Sequence, residues 1–304
     1  MLRERFIKKL LQTVFIFFIL LVISTWTIND GIKNTKVSLK KDIVGIYLID
    51  ENSYLCEAMT LVDNKNSLEA VSEIIDSLKN SNHLYQGLKG LIPNNTVLNK
   101  ASLKDGILYL DFNDQLFNVN ANLEEKVVEA LIYSLLSLNN VKGLILSINN
   151  KELVELPKSK ITIPSLLDKS FGINKEYHLN RMNNINKVVL YYYQEIDNNN
   201  YYVPVTRYLN NKDDKVKVII DNLQNNYIYK TNLMSYVTNK IEILDYSIKE
   251  DTVSLSFDKL ITLDSKEARE EVIWTMSNSI FDSLDVTKVI FSEQDNIVEI
   301  VLRN

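Results

Sequence analysis

The chain has 304 residues, 46% of them hydrophobic and 24% charged, which is a globular composition long enough for two ordinary domains. Its 34 Lys and Arg against 39 Asp and Glu leave a net charge of −5 with no long basic block, which excludes a general nucleic-acid binder. Four Pro and seven Gly exclude collagen-like or long flexible segments, and the single Cys56, in an apolar context beside Leu55 and Met59, excludes an intrachain disulfide.

The N-terminus "MLRERFIKK" carries Arg3, Arg5, Lys8 and Lys9, and Leu10–Ile28 then runs without a charge. That matches the ~20 apolar residues of a membrane-spanning helix. Val22-Ile23-Ser24 is a poor cleavage site and no Cys follows the run, so an uncleaved signal anchor is expected rather than a signal peptide or a lipoprotein. Lys33, Lys36, Lys40 and Lys41 lie beyond the span, so basic residues flank both ends. The short leader makes a single-pass cell-membrane protein, with its bulk outside the cytoplasm, the default. Residues 1–28 are thus leader and anchor, and 29–42 a tether.

The first globular stretch, 43–156, opens with an apolar run, Ile43–Ile49, and a second extended run, Tyr54–Val62. A helix follows, with Val71, Ile74, Ile75 and Leu78 on one face. "KDGILYLDFN", from Lys104, has its turn at Asp105-Gly106, a strong hairpin signal. A long helix carries Leu123, Val127, Val128, Leu131 and Leu135, and Asn122 with Glu125 has the spacing of a capping box. Two strands close the stretch, Val141–Ile148 and Leu153–Leu156. Residues 157–186 read as a linker, with Pro157, Pro164 and Gly172, although "IPSLLDKSFGI" is apolar enough to dock on a neighbouring domain.

The same plan returns at 187–304. At an offset of 145 residues and without gaps, "KEDTVSLSFD" falls on "KDGILYLDFN", so that Leu110 meets Leu255 and Phe112 meets Phe257. Tyr47 meets Tyr192, the first helical set meets Val216, Ile219, Ile220 and Leu223, and the second meets Ala268, Val272, Ile273, Met276 and Ile280. One register held through strand and helix alike marks an internal duplication. The opening runs of this copy are Val188–Tyr193 and Tyr201–Leu209 around the turn Asp197–Asn200, and the closing ones are Val286–Phe291 and Ile297–Leu302. Asp264 with Glu267 repeats the capping pair, and Glu250-Asp251 replaces Asp-Gly at the turn. The expected fold is α/β (α+β): two tandem β-β-α-β-β-α-β-β copies, each with its two helices on one face of a mixed sheet.

Chemistry is sparse. His83 and His178 occupy unrelated positions of the two copies, and neither a zinc spacing, a nucleophile elbow nor a phosphate loop is present. "DFNDQLF", Asp111–Phe117, begins like a calcium loop, but Leu116 stands where its Gly belongs and Asn122 where its bidentate Glu belongs. No catalytic, cofactor-binding or metal residue is therefore expected, and no cofactor. Tyr191, Tyr192, Tyr193, Tyr201 and Tyr202 are the best candidate ligand surface, able to stack on cell-wall sugars. Strand alternation sends Tyr192 to the face opposite Tyr191 and Tyr193, which favours sheet packing instead.

The signatures "GIYLID", "GLKGLIPNNT", "DGILYLDFN" and "VKGLIL", with "LYYYQE", "YYVPVTRYL", "TVSLSFD" and "VTKVIF" in the second copy, resemble the GerM (GerMN, germane) domain of sporulation and spore-germination proteins. "SFGINKEYHL" resembles the linker that joins tandem copies. The family turn I-P-x-G-T appears as Ile92–Thr96, with Asn95 for Gly, a residue that tolerates positive φ. Its counterpart, Val237–Ile241, has drifted. The resemblance implies a fold similar to ring-building motifs and a membrane-anchored, non-catalytic envelope protein of endospore-forming bacteria. Such a protein would assemble or localise the mother cell–forespore complex, or act in spore germination, with other sporulation or envelope proteins as partners and a homo-oligomer or ring as a possible state. The alternative it implies is a regulatory envelope protein acting with a sensor kinase or binding cell-wall glycan.

Overall fold

The computed structural model describes residues 41–79, 85–225, 232–238, 241–260, 265–294 and 296–303. The expected anchor Leu10–Ile28, most of the tether, His83, Asn239, Lys240 and Asp264 lie outside these. Among the described residues, no helix is long and apolar enough to cross a membrane.

The first copy runs β1 (Asp42–Ile49), β2 (Leu55–Val62), α1 (Leu68–Ser77), β3 (Leu98–Lys104), β4 (Ile107–Phe112), α2 (Glu124–Leu135), β5 (Gly143–Ile148) and β6 (Lys151–Glu152). The linker adds β7 (Glu176–His178). The second copy repeats the order as β8 (Ile185–Ile196), β9 (Asn199–Asn210), α3 (Lys215–Gln224), β10 (Ile243–Lys249), β11 (Thr252–Phe257), α4 (Lys266–Ser283), β12 (Lys288–Glu293) and β13 (Asn296–Leu302).

The duplication holds at the level of hydrogen-bond register. β4 pairs in parallel with β5 from Ile107↔Gly143, and β11 with β12 from Thr252↔Lys288, both residues shifted by 145. The antiparallel pairs Ala101↔Leu110 and Tyr246↔Leu255 correspond in the same way, and a bulge recurs at Leu98/Lys100 and at Ile243/Asp245. Asp105 and Gly106, with φ of 52° and 83°, make the two-residue turn that a twisted hairpin favours, and Glu250 repeats the first with φ 52°. Leu110, Phe112, Leu255 and Phe257 are all core residues at equivalent strand positions.

Each copy is nevertheless not one sheet with helices on one face. β3-β4-β5-β6 and β10-β11-β12-β13 form two separate four-stranded sheets, and the two opening hairpins join each other in a third. There β2 meets β9 antiparallel at Glu57↔Tyr202, and β7 extends the same edge of β9 in parallel from Glu176↔Arg207. The reason lies in α2, which is buried from Val127 through Leu135 rather than along one stripe. A helix buried on nearly all sides needs cover on more than one face, so the hairpin and the four-stranded sheet enclose it as separate layers. One hydrophobic core runs through both copies.

The opening strands also depart from the common offset. Tyr47 N–H donates to Ser134 Oγ at 2.9 Å, whereas Ser279, 145 positions after Ser134, accepts from Tyr191 at 3.0 Å. The ring contacts sit one helical turn apart: Tyr47 packs edge-on against Tyr133, and Tyr191 edge-on against Trp274, four residues before Asn278, the counterpart of Tyr133. The structural counterpart of Tyr47 is thus Tyr191, not Tyr192. The turn is five residues in the first copy and two in the second, Asp197-Asn198, yet Tyr47 pairs with Glu57 and Tyr191 with Pro204, so the second hairpin has the longer strands.

Five local expectations are corrected. Asn122 is not a helix cap: a 3-10 turn, Ala121–Leu123, precedes α2, and no side chain caps the helix. Glu125 instead pairs with Lys175 at 2.7 Å. In the second copy Ser265 caps α4 by accepting from Ala268 N–H, one residue beyond Asp264. Leu153–Leu156 is not a strand, because the linker takes the place beside β5, where Leu144 and Leu167 exchange bonds of 2.7 and 2.9 Å. Asn95 does not adopt positive φ; its carbonyl accepts from Asn113 Nδ2, which holds the turn without a Gly. The turn counted as drifted keeps its bond, since Thr96 N–H to Pro93 O at 2.9 Å recurs as Ile241 N–H to Thr238 O at 3.0 Å.

Candidate functional site

The two hairpins meet where strand and linker chemistry converge. Asn174, inside the linker motif, is buried with φ 48° and works as a joint. Its Oδ1 accepts from Leu55 N–H at 2.9 Å and Lys126 Nζ at 2.6 Å, and its Nδ2 donates to Leu55 O and to Pro204 O, each at 2.8 Å. Its own N–H donates to Glu129 Oε2 at 3.0 Å. One side chain thus satisfies backbone groups of β2 and β9 where these strands stop pairing. Pro204 has no N–H to offer this edge, and its carbonyl is served by Asn174 Nδ2. Sequence reasoning missed Asn174; its only signal is the Gly-Ile-Asn run after Phe171.

The five tyrosines are dispersed by strand alternation rather than gathered into a platform. Tyr191 is buried and donates to Asp282 Oδ2 at 2.7 Å. Tyr192 points to the other face, where Arg207 donates to its hydroxyl at 3.2 Å. Tyr193 stacks on Tyr236 at 4.0 Å, and Tyr202 stacks on Trp274 at 3.8 Å while donating to Glu271. Tyr201 packs partly buried against the core. Burial holds the Tyr191 and Tyr47 hydroxyls far above the usual phenol range, so both stay protonated donors.

Beside this joint a groove of about 1520 Å³ runs between the linker, the edge of β8, α4 and β13. Of its five lining cations, Lys142 among them, four are already engaged. Lys169 reaches Asp282 at 2.9 Å, Lys215 donates to Ser283 O at 2.7 Å, Lys187 donates to Ser170 O, and Arg303 donates to Phe281 O. Burial, then Lys175 and Lys215, hold the Lys187 ammonium below its ordinary value. Acids and bases alternate around the rim, with Asp168, Glu270, Asp285 and Glu299 among them, which suits a zwitterionic or protein surface better than a polyanion.

Few groups on these elements are poised for proton transfer. Burial pushes the Cys56 thiol far above its ordinary range, so it stays an unreactive SH. Burial also raises the Glu57 carboxyl to about 7, Lys169 opposing and Asp282 adding to the shift, and its Oε2 has no hydrogen-bond partner. Glu57 faces the tyrosines of the joint, with no nucleophile beside it. His178 is exposed, 3.4 Å from Glu176. Asp111, the first residue of the calcium-like stretch, is buried and accepts from Asn150 N–H and Asn99 Nδ2, while Leu116 and Phe117 are core. Among the described residues no group of three His, Cys, Asp or Glu is arranged to hold a metal ion.

Comparison with known proteins matches both copies. The model of the Germane family, described as sporulation and spore germination, covers residues 45–154 and 189–296. The chain is 26% identical over 240 residues to the spore germination protein GerM of Bacillus subtilis (strain 168), a span of 77% of this chain and 66% of that relative's length. The solved tandem GerMN domains of the sporulation protein GerM from Bacillus subtilis superpose with a TM-score of 0.75 at 21% identity, covering 87% of this chain and 97% of that one. That likeness extends to the tandem arrangement of the fold. With both of its copies matched in order, the chain belongs to the Germane family.

Proposed function

We propose that this protein acts in sporulation or spore germination as a membrane-anchored, non-catalytic assembly or localisation factor of the spore-forming envelope. The observation that carries this reading is the family match over both copies, together with a relative named for spore germination. The engaged cations of the groove and the protonated, buried Cys56 favour a surface that holds other proteins over one that reacts with a substrate. The charge-free Leu10–Ile28 run supports attachment by a single span, with the two copies outside the cytoplasm. Confinement to a membrane lets individually weak contacts suffice, because it raises the effective concentration of the partners.

The test replaces Met1–Ile28 with a cleavable secretion signal in a sporulating host. Spore yield and germination should fall to the level of a deletion, while the released protein stays folded by circular dichroism and is mostly monomeric at micromolar concentration. Full function from the released chain would overturn the anchored reading. Loss of function from a single substitution of an exposed carboxylate, in a folded protein, would overturn the non-catalytic one.

A further inference from the structure

The face of β1 and β2 that receives α2 is covered along only half its length. Opposed residues of a hairpin share a face, and here the pairs run Ile43↔Leu61, Gly45↔Met59 and Tyr47↔Glu57. Tyr47 is buried, its ring edge-on to Tyr133 of α2. The two pairs nearer the start of β1 have no such cover: Ile43 is 66% exposed, Met59 52% and Leu61 57%. Gly45 leaves no gap among them, because the Glu57 side chain folds over it; a Cβ there would come within 2.7 Å of Glu57 Oε1. At the outer end Lys41 pairs with Asp63 at 3.4 Å and closes the patch with two charges that cancel.

The other face of the hairpin is core, with Val44, Ile46, Ala58 and Val62 buried. A solvated face opposite such a core ordinarily alternates to polar residues, so three large apolar side chains side by side there form a second apolar surface. Its place in the chain says what meets it. Only 14 residues, 29–42, separate Ile43 from the charge-free run that ends at Ile28. A tether of that length spans about 50 Å at most, and about 20 Å as a coil. Lys33, Lys36, Lys40 and Lys41 against Asp30 and Asp42 make it basic, complementary to anionic lipid headgroups. Ile300 and Leu302 of β13 are exposed too, but no such tie links them to the span.

We infer that this face, Ile43, Met59 and Leu61 around Gly45, is a membrane-contact surface that lies on the bilayer carrying the anchor. The inference rests on the anchored reading above and goes beyond it, because it fixes which side of the first copy meets lipid. Apolar side chains presented in this way enter the boundary between headgroups and acyl chains, about 5–10 Å deep. The Lys41–Asp63 pair then stands at the level of the headgroups, where charge is tolerated. A span joined by a tether holds a protein at the membrane without orienting it. A second contact orients it, and so decides which of its surfaces a partner can reach.

Fluorescence of the full chain, reconstituted in vesicles containing anionic lipid, tests it. Met59→Cys and, as a control, Leu302→Cys each carry an environment-sensitive fluorophore; Cys56, buried and held as an unreactive SH, takes none. Nitroxide-labelled lipid should quench the label at Met59→Cys about twofold more than the label at the comparably exposed control. Adding Leu61→Glu puts a charge on the face and should remove that difference, while the chain still floats with the vesicles. A chain that fails to float would overturn the anchored reading and this inference with it. A chain that floats with both labels quenched alike, or with a difference that Leu61→Glu leaves unchanged, would overturn this inference alone. So would a blue-shifted Met59→Cys label that escapes the lipid quencher, because a second copy would then cover the face.

Discussion

Asn174→Ala is the sharpest single perturbation of the fold. The amide serves Leu55 N–H, Leu55 O and Pro204 O, at 2.8–2.9 Å, inside a joint where no water-facing path is open to a residue 2% exposed. Each buried hydrogen bond contributes about 1 kcal/mol net, and each backbone group left without a partner costs about 1–3 kcal/mol. An alanine must also hold the positive φ of 48°, which adds about 1 kcal/mol. The expected loss is about 4–5 kcal/mol, a large share of the 5–15 kcal/mol typical of a folded domain. Urea unfolding should register it directly, and at about 2–4 °C per kcal/mol the melting temperature should fall by roughly 10 °C or more. Asn174→Gly separates the causes, because it removes the amide without the conformational strain. It should recover about 1 kcal/mol and no more. A loss below about 1 kcal/mol for Asn174→Ala would show that the joint is held by something other than this amide.

Glu57 predicts an unusual pH dependence. Its folded carboxyl, raised from 4.5 to about 7 by burial, holds a proton that the unfolded chain releases, so this contribution is fully present below pH 4.5 and is lost as pH rises through 7. Glu57→Gln should remove that loss, leaving a protein more stable than wild type at pH 8, by up to about 3 kcal/mol, and little changed at pH 4.5. Equal urea midpoints at pH 8 would count against it. Ser134→Ala and Ser279→Ala each strand the N–H of an outer strand, Tyr47 or Tyr191, and should each cost about 1–3 kcal/mol in chemical denaturation; no change in either would mean the edges are closed otherwise. Thermal melts with and without a chelator should coincide, since no ligand cluster was found in the sequence, and a shift of several degrees would expose a metal site.

Most of the element order was legible because it is local. Periodicity located the helices at Val71–Leu78 and Val272–Ile280, and the Asp-Gly and Asp197–Asn200 turns located two hairpins. Duplication then tested each reading twice, as when the bulge at Leu98/Lys100 recurs at Ile243/Asp245. Most of the misreadings share a cause, a partner far away in sequence. The capping role expected of Asn122 and Glu125 failed because Lys175, 50 residues on, engages Glu125, and Lys158 and Ser159 engage the neighbouring Glu124. The expected strand Leu153–Leu156 failed because Leu167 took its place. Asn174 was invisible because its importance lies in Leu55 and Pro204, which pattern cannot connect to it.

The one-residue slip at the opening strands shows why the chain is a single body rather than two beads. A strict repeat would place Tyr192 where Tyr47 stands, and alternation would then turn the buried face of β8 away from α4. The strand is instead set back by one residue, so Tyr191 N–H meets Ser279 as Tyr47 N–H meets Ser134. The helices thus clamp both outer strands by equivalent serines, with aromatic edges one helical turn apart. Both inner strands, β2 and β9, are left facing each other, with neither able to pair fully because the strands diverge after Glu57↔Tyr202. The linker fills that divergence with Asn174 and then β7 along the same edge of β9, and Glu176 of β7 pairs with buried Arg207 at 2.8 Å. Duplication alone supplies two hairpins with unsatisfied edges. It is the linker, which neither copy contains, that makes their pairing complete.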